Sequence, residues 1–155
     1  MTRDLLDELK QRRPFGSLEQ EAMLSIARTS AILEHENAEA FKSYGVTPTQ
    51  YNALRILRGA EPDGLCRNEV RDRLVARVPD ATRLLDRLVE MGLVVRTREG
   101  GDRRFVRSRI TAAGLDLLGR LDGVVEELHR RQLGHLPQAR LRMLIELLGE
   151  ARDRP

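Results

Sequence analysis

At 155 residues the chain has the length of one ordinary domain with room for a real core. It is 41% hydrophobic and 33% charged with a net charge of +3, and no apolar run approaches the ~20 residues of a membrane helix, so a disordered chain and a membrane-spanning one are both excluded from the expectation. A single cysteine excludes an intrachain disulfide and a cysteine zinc cluster, and 3% aromatic residues without tryptophan argue against a stacking platform for single-stranded nucleic acid.

The first sixteen residues hold a short amphipathic piece, Leu5, Leu6 and Leu9, closed by Pro14 and Gly16. It either packs on the body, exchanges onto a partner or stays disordered. The opening MTRDLLDELKQRRP contains no apolar signal region, which predicts a cytoplasmic protein. Ser17 with Gln20 matches a capping box, and the spacing predicts a long helix to about Tyr44, stopped by Gly45. Its apolar stripe runs through Met23, Ile26, Leu33 and Phe41. His35 interrupts the stripe, either as a ligand-lining or sensing group or as a solvated histidine.

Thr47-Pro48-Thr49-Gln50 is a strong second helix start, with threonine as N-cap, proline in the first turn and glutamine three residues on. That helix carries Tyr51, Leu54, Ile56 and Leu57 and ends before Gly59. Pro62-Asp63-Gly64 predicts a turn, and Leu65 a short strand completing a small sheet. A short helix with Val70 and Leu74 follows, ringed by Arg67, Arg71, Arg73 and Arg77. The next is predicted to begin at Pro79, with Val78 as a poor N-cap. Ala81, Leu84, Leu85 and Leu88 give it one apolar face, and Gly92 a left-handed stop. Leu93-Val94-Val95 and Phe105-Val106 with Ile110 predict two strands around a Gly100-Gly101 tip, and Thr111 caps a further helix.

Two short helices joined by a tight turn make a helix-turn-helix, and the hairpin after them makes a wing. From Cys66 to Thr111 there are twelve arginines against seven acidic residues, so the remainder of the chain is net negative. This is the electrostatic footprint of a polyanion partner. The predicted class is therefore mainly α with a small β-hairpin wing. Two last helices follow, one with Leu115, Leu118, Leu121, Val125 and Leu128, the other from Pro137 with Leu141, Leu144, Ile145 and Leu148. They hold more apolar surface than a small winged helix covers. They either fold back or bury it against a second copy, and two-fold symmetry with a palindromic duplex favours the second.

The order of elements resembles the MarR family of bacterial transcription regulators over roughly residues 17–150. The resemblance is carried by Thr82-Arg83-Leu84-Leu85-Asp86-Arg87-Leu88, Gly92-Leu93-Val94, Asp102-Arg103-Arg104, Ile110-Thr111 with Gly114, and Thr49-Gln50-Tyr51 with Leu54. It implies a homodimer with intertwined termini, mostly a repressor, whose two reading helices enter successive major grooves about 34–36 Å apart. It also implies release by a small phenolic or anionic ligand, or in a subset by thiol oxidation. The chain then divides into a dimerisation segment and helix over 1–45, a winged helix-turn-helix over 46–111 and dimerisation helices over 112–155.

The candidate DNA contacts are Pro79, Asp80, Thr82, Arg83, Arg87, Arg98, Asp102, Arg103 and Arg104. Arg83 can bind guanine O6 and N7 together, and Thr82 a phosphate or a thymine methyl. Asp80 is either a helix-dipole partner or an acceptor for a cytosine amine. Arg87 reaches a phosphate or pairs with Asp86 or Glu90. The resemblance assigns Arg104 to the minor groove, with Asp102 holding it, and Arg98 and Arg103 meet phosphates. Candidate ligand-lining residues are His35, Tyr44, Tyr51 and Arg55. Cys66, beside Arg67, is either a peroxide-sensitive thiol or an inert one.

No phosphate loop, zinc-protease helix or nucleophile elbow is present, and His35, His129 and His135 form no catalytic set, so no enzyme, cofactor or metal is expected. A protein-docking module would need apolar anchors rather than basic ones. A sequence-tolerant architectural DNA-binding protein is the open alternative to a regulator.

Overall fold

The computed structural model describes residues 4–98 and 106–153. Seven helices and one hairpin are present among them: α1 (Leu5–Glu8), α2 (Leu18–Lys42), α3 (Pro48–Arg58), α4 (Arg67–Arg73), α5 (Ala81–Glu90), β1 (Val94–Arg98), β2 (Val106–Ile110), α6 (Ala112–Leu133) and α7 (Gln138–Arg152). They form two compact units, one ending at Glu39 and the other starting at Ala40.

In the first unit, Asp4 caps α1 by accepting from the Leu6 N–H at 3.2 Å. Ser17 caps α2 by accepting from the Gln20 N–H at 3.2 Å. Gln20 does not complete the expected box on Ser17; its side-chain oxygen accepts from the Gly16 N–H instead, at 2.7 Å. Met23 and Ile26 are exposed along the apolar stripe, and Ile32 is exposed away from it.

The second unit holds a leucine-rich core. Leu54, Leu57, Leu85, Leu88, Leu118 and Leu121 are essentially solvent-free. Each such burial contributes roughly 1.5–3 kcal/mol before the ordering entropy is counted. Helix α3 is the central element, touching α4, α6 and β2. Its start is the predicted capping box: Thr47 accepts from the Gln50 N–H at 3.1 Å and Gln50 accepts from the Thr47 N–H at 2.9 Å.

Strands β1 and β2 pair antiparallel, from Val94 opposite Ile110 to Arg98 opposite Val106. Val94 and Ile110 point into the core while Val95 is exposed. Leu65 joins as a single bridge to Ser108, with reciprocal backbone bonds of 3.0 and 2.8 Å. Gly92 takes the left-handed conformation, φ +73°, that ends α5 and turns the chain into β1. The Thr111 hydroxyl donates to the Gly92 carbonyl at 2.7 Å and accepts from the Gly114 N–H at 3.1 Å. One side chain therefore joins the end of α5 to the start of α6. Helix α7 has no buried residue, and Met143, Ile145 and Leu147 are each more than half exposed.

Candidate nucleic-acid interface

Helices α4 and α5 are placed by polar contacts at both ends of the turn between them. At the start of α4 the Cys66 N–H donates to Glu69 Oε2 at 2.8 Å, and this bond holds the Glu69 carboxyl below its ordinary pKa. Leu74 ends α4 in extended backbone and is buried. The following N–H, of Val75, donates to Asn52 Oδ1 of α3 at 2.9 Å. The turn is thereby pinned to the central helix.

The start of α5 differs from the sequence expectation. Asp80, not Val78, is the N-cap, and its Oδ1 accepts from the Arg83 N–H at 3.0 Å. Pro79 precedes the cap instead of occupying the first helical position. The reason is chemical: aspartate offers an acceptor to the free amides of the first turn, and valine offers none. Val78 instead packs, half-buried, against the core.

Helix α5 divides into three strips. Ala81, Leu85 and Leu88 are buried, with Leu84 packed beside them. Asp80, Arg83, Arg87 and Glu90 are exposed. Among the described residues Arg83 has no side-chain partner, whereas Arg87 pairs with Glu90 at 3.1 Å, one of the two roles open to it. The third strip is engaged by neighbouring elements. Thr82 Oγ1 accepts from Arg67 Nη1 of α4 at 3.1 Å, and Asp86 Oδ1 meets Arg96 Nη1 of β1 at 2.6 Å. Sequence reading missed Arg67 and Arg96. The four-residue spacing of Thr82 and Asp86 is a signal that both share a face, but not that both are already occupied.

Between these elements lies a cleft of about 730 Å³ bordered by Cys66, Arg67, Thr82, Arg96, Arg98 and Val106. Cys66 is half-buried there, and Arg98 is exposed at the end of β1. Asp102, Arg103 and Arg104, with the Gly100-Gly101 tip, lie outside the described residues.

Of the four candidate ligand residues, the structure brings Tyr51 and Arg55 together. Tyr51 is a core residue, 8% exposed, with its ring centroid 4.8 Å from that of Phe41. Burial pushes its hydroxyl above the usual tyrosine pKa. The Arg55 guanidinium lies 5.9 Å from the Tyr51 ring centroid, so these two do meet, as a cation–π pair. Tyr44 packs half-buried against the core. His35 is exposed on α2 in the other unit. Among the described residues no group of three His, Cys, Asp or Glu side chains is placed to hold a metal. None of the described helices is long and apolar enough to cross a membrane.

A capped second helix with an exposed arginine, a first helix bracing it and an antiparallel wing beside it define a winged helix-turn-helix, the DNA-binding fold of many transcription regulators. Comparison with known proteins narrows the class. A model of the MarR family matches residues 44–104. A MarR transcription factor from Planctomyces limnophilus is 43% identical in sequence, with a TM-score of 0.68 over 88% of this chain and 98% of that one. The HTH-type transcriptional regulator PapX of Escherichia coli is 29% identical over 94 residues, which is 61% of this chain and 57% of PapX. The match thus spans less than two thirds of that relative. The fold is also that of S. aureus MepR, solved as a DNA complex, with a TM-score of 0.76 at 18% identity over 83% of this chain and 94% of MepR. The chain belongs to the MarR family of transcription regulators.

Proposed function

We propose that the protein is a sequence-specific regulator of transcription, acting in the cytoplasm as a homodimeric repressor on a pseudo-palindromic operator in double-stranded DNA. The observation that carries this reading is the state of Arg83. Its backbone is fixed by the Asp80 cap, the opposite face of its helix is buried, and its guanidinium is exposed with no partner among the described residues. That is the arrangement needed to present a planar fork to guanine in the major groove.

Two further features support the reading. The arginine excess between Cys66 and Thr111 supplies phosphate contacts, among which we place Arg98 and Arg103, with Arg87 able to exchange Glu90 for a phosphate and Arg104 entering the minor groove beside Asp102. The exposed apolar side chains Met143, Ile145 and Leu147 of α7 supply a surface for a second copy. Release by a small phenolic or anionic molecule belongs to the same reading through the family resemblance alone.

The test is a mobility-shift titration with duplex recovered by selection from genomic DNA. Each neutralised phosphate adds about −0.9 to the slope of log affinity against log salt. A regulator holds its selected duplex at least ~10³-fold above competitor DNA. Equal affinity for both identifies an architectural protein. Loss of the shifted band on adding a simple aromatic acid supports ligand release. Loss on mild peroxide, restored by thiol, assigns that role to Cys66.

A further inference from the structure

The regulator reading gives no role to Asp86 and Arg96. Asp86 lies on the reading helix, where a carboxylate facing a polyanion weakens binding. Arg96 lies on β1, two residues before the candidate phosphate contact Arg98. The two meet at 2.6 Å, with side chains 48% and 33% exposed. An ion pair this wet contributes little to fold stability. Its place in the structure points to another role.

Thr82 and Asp86 are one helical turn apart, about 40° around the α5 axis. Arg67 reaches the first from α4 and Arg96 reaches the second from β1. The same strip of the reading helix is therefore held from both sides, once by the first helix of the motif and once by the wing. The buried face, through Ala81, Leu85 and Leu88, resists translation of α5 away from the core. Apolar contacts are non-directional, so they resist rotation about the axis less well. A rotation of about 10° moves a guanidinium ~8 Å from the axis by about 1.4 Å, enough to break a two-pronged hydrogen bond to a base.

We propose that Asp86 and Arg96 are positioning residues for DNA reading. Their ion pair sets the rotation of α5 against the wing and so aims Arg83, with the Arg67–Thr82 bond as a second tether one turn earlier. The pair neutralises both charges, so neither adds to phosphate attraction. This inference rests on the regulator reading.

The experiment compares full-length wild type, Asp86→Asn, Arg96→Ala and the double variant by anisotropy, on the selected duplex and on mixed-sequence duplex, over a range of salt. Aiming predicts that each single variant loses about 10-fold on the selected duplex only. The double variant then loses no more than the worse single one, and the salt slope is unchanged. Arg96→Lys, which keeps the charge without the fork, restores part of the loss. Thermal midpoints within a few degrees of wild type confirm that all variants are folded.

Tighter binding by Asp86→Asn alongside weaker binding by Arg96→Ala and a shallower salt slope makes Arg96 a phosphate contact and overturns the proposal. So does equal loss on both duplexes. A wild type that binds no duplex overturns the regulator reading, and this inference with it. A wild type that binds while Asp86→Asn and Arg96→Ala change nothing overturns this inference alone.

Discussion

Arg58 and Asp122 join α3 to α6 by a two-pronged ion pair, Nη1 to Oδ2 at 2.8 Å and Nη2 to Oδ1 at 3.1 Å. The Arg58 guanidinium holds the Asp122 carboxyl below its ordinary value near 3.8, and the carboxylate raises Arg58 in turn. A carboxyl depressed by folding stabilises the native state above its unfolded pKa, and that stabilisation is lost as pH falls through the folded value. Both side chains are about a third to a half exposed, so water screens much of the attraction. We expect Asp122→Asn to cost about 0.5–1 kcal/mol at pH 7. In urea titrations the gap between wild type and variant should begin to close below about pH 4.

The cap of the reading helix separates two properties of Asp80. Asp80→Ala removes the acceptor for the Arg83 N–H and should cost about 1 kcal/mol of stability. Asp80→Ser keeps an acceptor, so its stability should stay near wild type while the acidic charge is gone. If the carboxylate repels phosphate, Asp80→Ser binds duplex more tightly than wild type; if it accepts from a cytosine amine, it binds the selected duplex more weakly. Denaturant titration and anisotropy read the two effects independently.

Gly114 marks a close approach rather than a flexible point. A Cβ there would lie 2.6 Å from Ile110 Cγ1 and 2.6 Å from the Leu93 carbonyl oxygen. The carbonyl accepts from the Thr111 N–H at 3.0 Å and sits at the junction of α5 with the wing, so it has little room to give. Gly114→Ala should cost about 1–3 kcal/mol despite the better helix propensity of alanine, read as a drop in thermal midpoint.

The exposed apolar side chains of α7 predict self-association. Ile145 is 68% exposed and Met143 60% exposed. Replacing both with aspartate should leave the winged helix folded and shift the protein toward the monomer in sedimentation or light scattering. Operator affinity should fall with it, because two linked half-site contacts become one. Variants that stay dimeric at micromolar concentration place the interface elsewhere.

Much of the fold was legible in the residues. The Thr47-Pro48-Thr49-Gln50 box, the Ala81, Leu84, Leu85 and Leu88 stripe and the Gly92 stop each state a local rule, and the structure follows each. Helix α5 starts two residues after the Pro79 that proline's preference for a first turn points to, because Asp80 supplies the cap acceptor. The tethers Arg67–Thr82 and Arg96–Asp86 link residues 15 and 10 positions apart, from separate elements. Among so many arginines no local pattern says which will pair. Tyr51 lies in the core against Phe41, a placement that helical spacing alone leaves open.

The account turns on Arg83 reading a base. The most direct measurement is anisotropy of wild type and Arg83→Ala on the selected duplex and on its single-base-pair variants. The account predicts a loss of about 1–3 kcal/mol on the selected duplex, relaxed preference at one base pair in each half-site, and a salt slope close to wild type. Unchanged affinity, or an equal loss on every sequence with a shallower slope, contradicts it.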